Sequence, residues 1–105
     1  MELQELIDAA WDDRSLLQDK DVKIAIKTII ADLDMGKKRV AEQKDGNWTV
    51  YEWIKKAVIL YFPLQKMKTL EVGPFEFHDK MKLKTGYDKL GVRVVPHAIA
   101  RYGAH

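Results

Sequence analysis

The sequence predicts an α+β domain, and three observations carry that reading. Two successive segments place apolar residues at helical spacing, an Asp45-Gly46 turn separates two short alternating runs, and a third helical segment, apolar almost all round, follows at once. The last stretch is of another kind. Gly91-Val92-Arg93-Val94-Val95-Pro96 is a β-branched strand with one arginine, followed by small residues up to Ala104. That pattern suits the lead-in to a coiled parallel β stack better than it suits a chain end. Residues 1–91 are therefore expected to form the α+β domain, and residues 92–105 a strand and linker leading out of it.

The first third reads as a helical hairpin. Leu3, Leu6, Ile7, Ala10 and Trp11 fall at i, i+3, i+4, i+7 and i+8 with acids between them, which predicts a helix from about Leu3 to Leu16. Val22, Ile26, Ile29, Ile30 and Leu33 repeat the spacing after Asp19 and Asp21, and Gly36 suits the position just past a helix end. A second helix is expected from Lys20 to Met35. Next, Asp-Gly is a strong two-residue turn for twisted antiparallel strands, so Arg39–Lys44 and Asn47–Thr49 are expected to pair, with Ala41 and Trp48 on one face. Thr49 and Glu52 form a capping-box pattern, which starts a third helix that Pro63 stops. Its apolarity puts Trp53, Ala57 and Leu60 at the centre of the core, and Trp11, Trp48 and Trp53 are expected as core anchors. Gly73-Pro74 marks a turn, Phe75-Glu76-Phe77 a short strand, and Lys80–Lys84 a half-exposed basic edge.

Composition narrows the function classes. The chain has 105 residues, 47% apolar and 32% charged, which is the range of an ordinary globular domain. Without cysteine there is no disulfide framework, thiolate nucleophile or cysteine-zinc site, and a cytoplasmic location is expected. No run approaches the roughly 20 apolar residues of a membrane span, and none resembles a signal peptide. A formal charge of +2 is weak support for a nucleic-acid binder.

Candidate chemical groups are few. His78 stands beside Asp79, yet no nucleophile shares the region and none of His78, His97 and His105 has zinc-ligand spacing, so no metal site is expected. Lys37-Lys38-Arg39 complements the dipole at the end of the second helix more readily than it builds an anion site. Arg93, set among valines, either points to solvent or is held to bind an anionic group, because guanidinium pairs bidentately with carboxylate.

Taken in order, these segments resemble the N-terminal domain of the tetrahydrodipicolinate N-succinyltransferases. The likeness rests on Gly36 with Arg39-Val40-Ala41-Glu42, on Asp45-Gly46-Asn47-Trp48, and on Trp53-Ile54-Lys55-Lys56-Ala57-Val58-Ile59-Leu60. It continues in Phe77-His78-Asp79-Lys80, in Val92-Arg93-Val94-Val95-Pro96 and in Arg101-Tyr102-Gly103-Ala104. It covers essentially the whole chain and is weakest in the helical hairpin. Two departures stand out: His97 replaces a common second proline, and His78 is inserted in the aromatic-Asp-Lys turn. The resemblance implies succinyl transfer from succinyl-coenzyme A to tetrahydrodipicolinate in lysine and diaminopimelate synthesis. It also implies a homotrimer of left-handed β-helices with active sites between subunits. The coenzyme A site and the catalytic carboxylate would belong to the β-helix, which these residues lack. The chain is then expected to bind no cofactor, to carry no catalytic residue and to be inactive alone, and Arg93 takes the place of a substrate-binding arginine. The rival expectation is a stand-alone binding module that uses the lysine-rich edge.

Overall fold

In the computed structural model, which describes residues 2–105, α1 spans Leu3–Asp12 and ends before the expected Leu16. Asp13 is extended and its carboxylate accepts hydrogen bonds from the Ser15 N–H at 3.1 Å and the Ser15 hydroxyl at 2.6 Å. That local competition with the helical ladder converts Arg14–Gln18 into a short 3₁₀ turn. Helix α2 then runs from Lys20 to Asp34, capped by the Asp19 carboxylate, which accepts from the N–H groups of Asp21 at 2.8 Å and Val22 at 3.3 Å. Its end is a Schellman motif: the Gly36 N–H reaches the Leu33 carbonyl, the Lys37 N–H reaches the Asp32 carbonyl, and Gly36 takes φ +75°.

The strands β1 (Ala41–Lys44) and β2 (Asn47–Val50) pair antiparallel around Asp45 and Gly46, both at positive φ as a type I′ turn requires. Ala41 and Trp48 do share a face, but that face is turned outward and Trp48 is 72% exposed. Trp48 is therefore not a core anchor. A two-stranded ribbon has no second layer to cover it. Trp11 and Trp53 lie half-buried at the margin of the core, and Arg14 sits 4.9 Å above the Trp11 ring.

Helix α3 occupies Glu52–Leu64. Thr49 stays in the ladder opposite Glu42, so the capping box does not form; Tyr51 holds the cap position and its hydroxyl donates to Glu42. Pro63 lies in the last turn and the helix ends one residue beyond it. The centre of the core differs in one member from expectation. Ala57 and Leu60 are fully buried, but Ile54 rather than Trp53 joins them, with Tyr61. They pack on Ile7 and Ala10 of α1 and on Val22, Ala25, Ile26, Ile29, Ile30 and Leu33 of α2, giving a three-helix core.

The second hairpin pairs β3 (Lys68–Val72) with β4 (Phe75–Asp79) around Gly73-Pro74. Strand β3 is an addition to the predicted elements: Thr69-Leu70-Glu71-Val72 alternates polar and apolar over only four residues, and all five residues of the strand are exposed. Two further expectations are corrected. Lys80–Lys84 is not an edge strand: only Leu83 is bridged, antiparallel to Arg101. Val92–Val95 joins no ladder among the described residues, because no neighbouring strand lies there to pair with it; its contacts are turns, Val92 N–H to the Tyr87 carbonyl and Ala98 N–H to the Val95 carbonyl. Helix α4 is a single turn, Tyr87–Leu90, between Gly86 and Gly91, both left-handed.

Candidate functional site

The chain reverses after β4 and forms a loop, residues 85–99, that carries Arg93. Its neck is a short antiparallel pairing. The Lys84 N–H donates to the Ala100 carbonyl at 2.9 Å, the Tyr102 N–H donates to the Lys82 carbonyl at 2.8 Å, and the Leu83–Arg101 bridge lies between them. Within the loop α4 makes a tight turn that its two glycines permit, since positive φ carries no Cβ penalty there. Arg93 follows this turn and is exposed, with Val92 and Val95 exposed beside it and Val94 half-buried. It forms no ion pair among the described residues.

Below the neck lies the most connected polar group of the molecule. The Lys84 ammonium, on a side chain only 10% exposed, donates to Asp34 Oδ1 at 2.9 Å, to the Asp34 carbonyl at 3.0 Å and to the Ala104 carbonyl at 2.6 Å. The Gly103 N–H also donates to Asp34 Oδ1, at 2.9 Å, and the His105 ring lies 3.3 Å from the Asp34 carbonyl. Asp34 is the last residue of α2, where free carbonyls and the negative dipole end favour a cation, so the ammonium completes the helix as well as the ion pair. Tyr102 packs on the core, while the His105 ring occupies the space a Cβ on Gly36 would need.

Burial alone would raise the Asp34 carboxyl. The Lys84 hydrogen bond, the Gly103 N–H and the nearby positive charges of Lys84 and His105 outweigh it and hold the group below its ordinary 3.8. A depressed folded value means that Asp34 stabilises the docked terminus above the unfolded value, and that this contribution is lost as pH falls through the folded one. The Gly103 amide resonance is therefore expected to titrate below pH 3.8, and to lose that transition in Asp34→Asn, as followed by two-dimensional NMR. A Gly103 transition unchanged in Asp34→Asn would assign it to another group.

The remaining candidates have structural partners. Asp79 is held low by the backbone N–H of Lys80, against a smaller opposing effect of burial, and further by the Met81 N–H and by Arg101, whose Nη1 is 3.4 Å from Oδ2. His78 faces Thr69 across the β3–β4 ladder, Nδ1 to Oγ1 3.0 Å. Lys80 donates to the Phe62 carbonyl at 3.4 Å, and Lys82 lies 4.8 Å above the Tyr102 ring. Lys38 pairs with Asp32 at 3.6 Å. A cavity of about 500 Å³ opens between the second hairpin and the neck, lined by Leu70, Phe77, Met81, Ile99, Lys68 and Arg101 among others; Arg93 is not on its wall. No group of three or more His, Asp or Glu among the described residues could hold a metal ion, and no helix there is long and apolar enough to cross a membrane.

Comparison with known proteins decides the family. Residues 2–64 match the family described as Tetrahydrodipicolinate N-succinyltransferase N-terminal. The chain belongs to this family. It is 42% identical to a 2,3,4,5-tetrahydropyridine-2,6-dicarboxylate N-succinyltransferase of Bordetella petrii over 114 residues, an alignment covering 99% of this chain and 42% of the relative. Proteins of the same name from Cupriavidus metallidurans and Ralstonia pickettii are 45% and 46% identical, each over 98% of this chain and 42% of their own length. The chain thus spans well under half of these succinyltransferases. The Asp34–Lys84 pair has no signal in the sequence, since nothing local links positions so far apart and Lys84 falls within the expected half-exposed basic edge.

Proposed function

We propose that this chain serves as the N-terminal domain of an enzyme that transfers succinyl from succinyl-coenzyme A to ring-opened tetrahydrodipicolinate, within lysine and diaminopimelate synthesis. The observation that carries the reading is family membership sustained over nearly the whole chain. In the reaction the substrate amine attacks the thioester carbonyl, a C–N bond forms, the C–S bond breaks, and coenzyme A leaves as the thiol while the nitrogen loses a proton. No side chain described here is assigned to that proton or to the acyl donor. Both functions are assigned to the part of the relatives that this chain does not span, in a cytoplasmic homotrimer with sites between subunits.

Arg93 is the one ligand contact proposed in these residues. An exposed guanidinium that pairs with no carboxylate among the described residues is available to a dicarboxylate substrate, which it can grip through two parallel N–H···O bonds. The alternative, a stand-alone module using the lysine-rich edge, gains nothing from the geometry, since Lys80, Lys82 and Lys84 each engage a group of the chain itself.

A chimera in which residues 1–105 replace the corresponding part of the Cupriavidus metallidurans relative is expected to release coenzyme A from succinyl-coenzyme A with 2-aminopimelate as acceptor. The 105 residues alone are expected to give none. A folded but inactive chimera would count against the domain assignment, and turnover by the pure 105-residue chain would overturn the division of labour.

A further inference from the structure

We propose that Lys84 is the positioning residue for Arg93, fixing the loop that carries it to the C-terminal end of α2. The loop is residues 85–99, and its two ends meet only at the neck, where Lys82–Lys84 pairs with Ala100–Tyr102. Such a neck is too short to be rigid by itself, because an isolated pair of extended segments is marginal in water. The Lys84 side chain supplies the missing constraint. Its ammonium donates to two oxygens of Asp34 and to the Ala104 carbonyl, so one group joins the first limb of the neck, the segment just past its second limb and a helix of the core. The Gly103 N–H on Asp34 Oδ1 closes the circuit.

The location makes the constraint specific. A lysine with all its donors engaged and a side chain 10% exposed has given up the rotamer freedom that a solvated lysine keeps. Its neighbours Lys80 and Lys82 make single, looser contacts. Among the described residues Arg93 makes no ion pair that would orient it, and the Val92 N–H donates to the Tyr87 carbonyl within the same loop. The direction in which the loop leaves the domain is therefore set at the neck, with one further contact on its far side, where the His97 ring stands edge-on to Phe75 of β4 with centroids 6.3 Å apart. This inference rests on the reading of Arg93 as a substrate contact.

The test has two arms. In the 105-residue chain, Lys84→Met, nearly isosteric but uncharged, is expected to speed hydrogen exchange at the amides of Lys84, Tyr102 and Gly103 by about tenfold or more, leaving Ile29 and Leu60 protected. Asp34→Asn, which keeps the backbone acceptor, should give a smaller change at the same amides, and it serves in place of Lys84→Met if that variant does not fold. In the active chimera, Lys84→Met is expected to raise KM for the dicarboxylate about tenfold, with KM for succinyl-coenzyme A unchanged, and to add nothing when Arg93→Ala is already present. Unchanged exchange at the neck overturns the proposal, and so does a Lys84→Met effect that simply adds to that of Arg93→Ala. If Arg93→Ala leaves KM for the dicarboxylate unchanged while the neck amides respond to Lys84→Met, the reading of Arg93 has failed and the positioning role falls with it. If Arg93→Ala raises KM and Lys84→Met does not, the positioning role alone is wrong.

Discussion

Leu60→Ala is expected to destabilise the domain by about 2–5 kcal/mol, read as a fall in the urea midpoint. Leu60 is among the largest fully buried side chains, on the stripe of α3 that faces α1 and α2. Removing most of it loses the transfer free energy of the side chain and opens a cavity that flanking helices can only partly fill. Small domains are stable by roughly 5–15 kcal/mol, so this one change takes a large share of the total. Ile59→Ala is the control. Ile59 is 39% exposed on the opposite side of the same helix, so its loss should move the midpoint far less. A Leu60→Ala midpoint equal to that of the native chain would show that α3 is peripheral.

Arg93→Ala in the active chimera is expected to lower kcat/KM for the dicarboxylate by about ten- to a hundredfold, the worth of a charge-assisted hydrogen bond of roughly 1.5–3 kcal/mol. If the guanidinium grips ground and transition states alike, the loss falls on KM for that substrate, with KM for succinyl-coenzyme A nearly unchanged. Arg93→Lys should restore only part of it, since a point charge cannot reproduce the two-pronged geometry. The thermal midpoint should not move, because the exposed side chain makes no ion pair within the described residues. Steady-state kinetics that left kcat/KM intact for both substrates would reduce Arg93 to an exposed loop residue.

The elements most legible in the sequence were those with a strong local cause. The stripe from Val22 to Leu33 specified α2, with Asp19 at one end and Gly36 at the other, and Asp45-Gly46 specified the turn and register of the first hairpin. Both follow from periodicity and backbone freedom, which neighbouring residues settle among themselves. The family was legible for a related reason, since it rests on blocks whose order survives without knowledge of their contacts.

The failures share a cause as well. Trp48 and Trp53 are both expected as core anchors, yet one stands in solvent and the other lies half-buried, because burial depends on whether a second layer arrives. Strand β3 alternates over only Thr69-Leu70-Glu71-Val72, too short a run to mark a strand without its partner, and all its residues are exposed. Val92–Val95 has strand propensity but no partner strand among the described residues, and propensity without a ladder leaves an open segment. Local pattern was enough for the three long helices and the first turn, and the order of sequence blocks was enough for the family. Which apolar faces are covered, and the joining of Asp34 to Lys84, follow from long-range packing, because an ion pair between distant positions exists once the chain has folded and leaves no periodic trace along it.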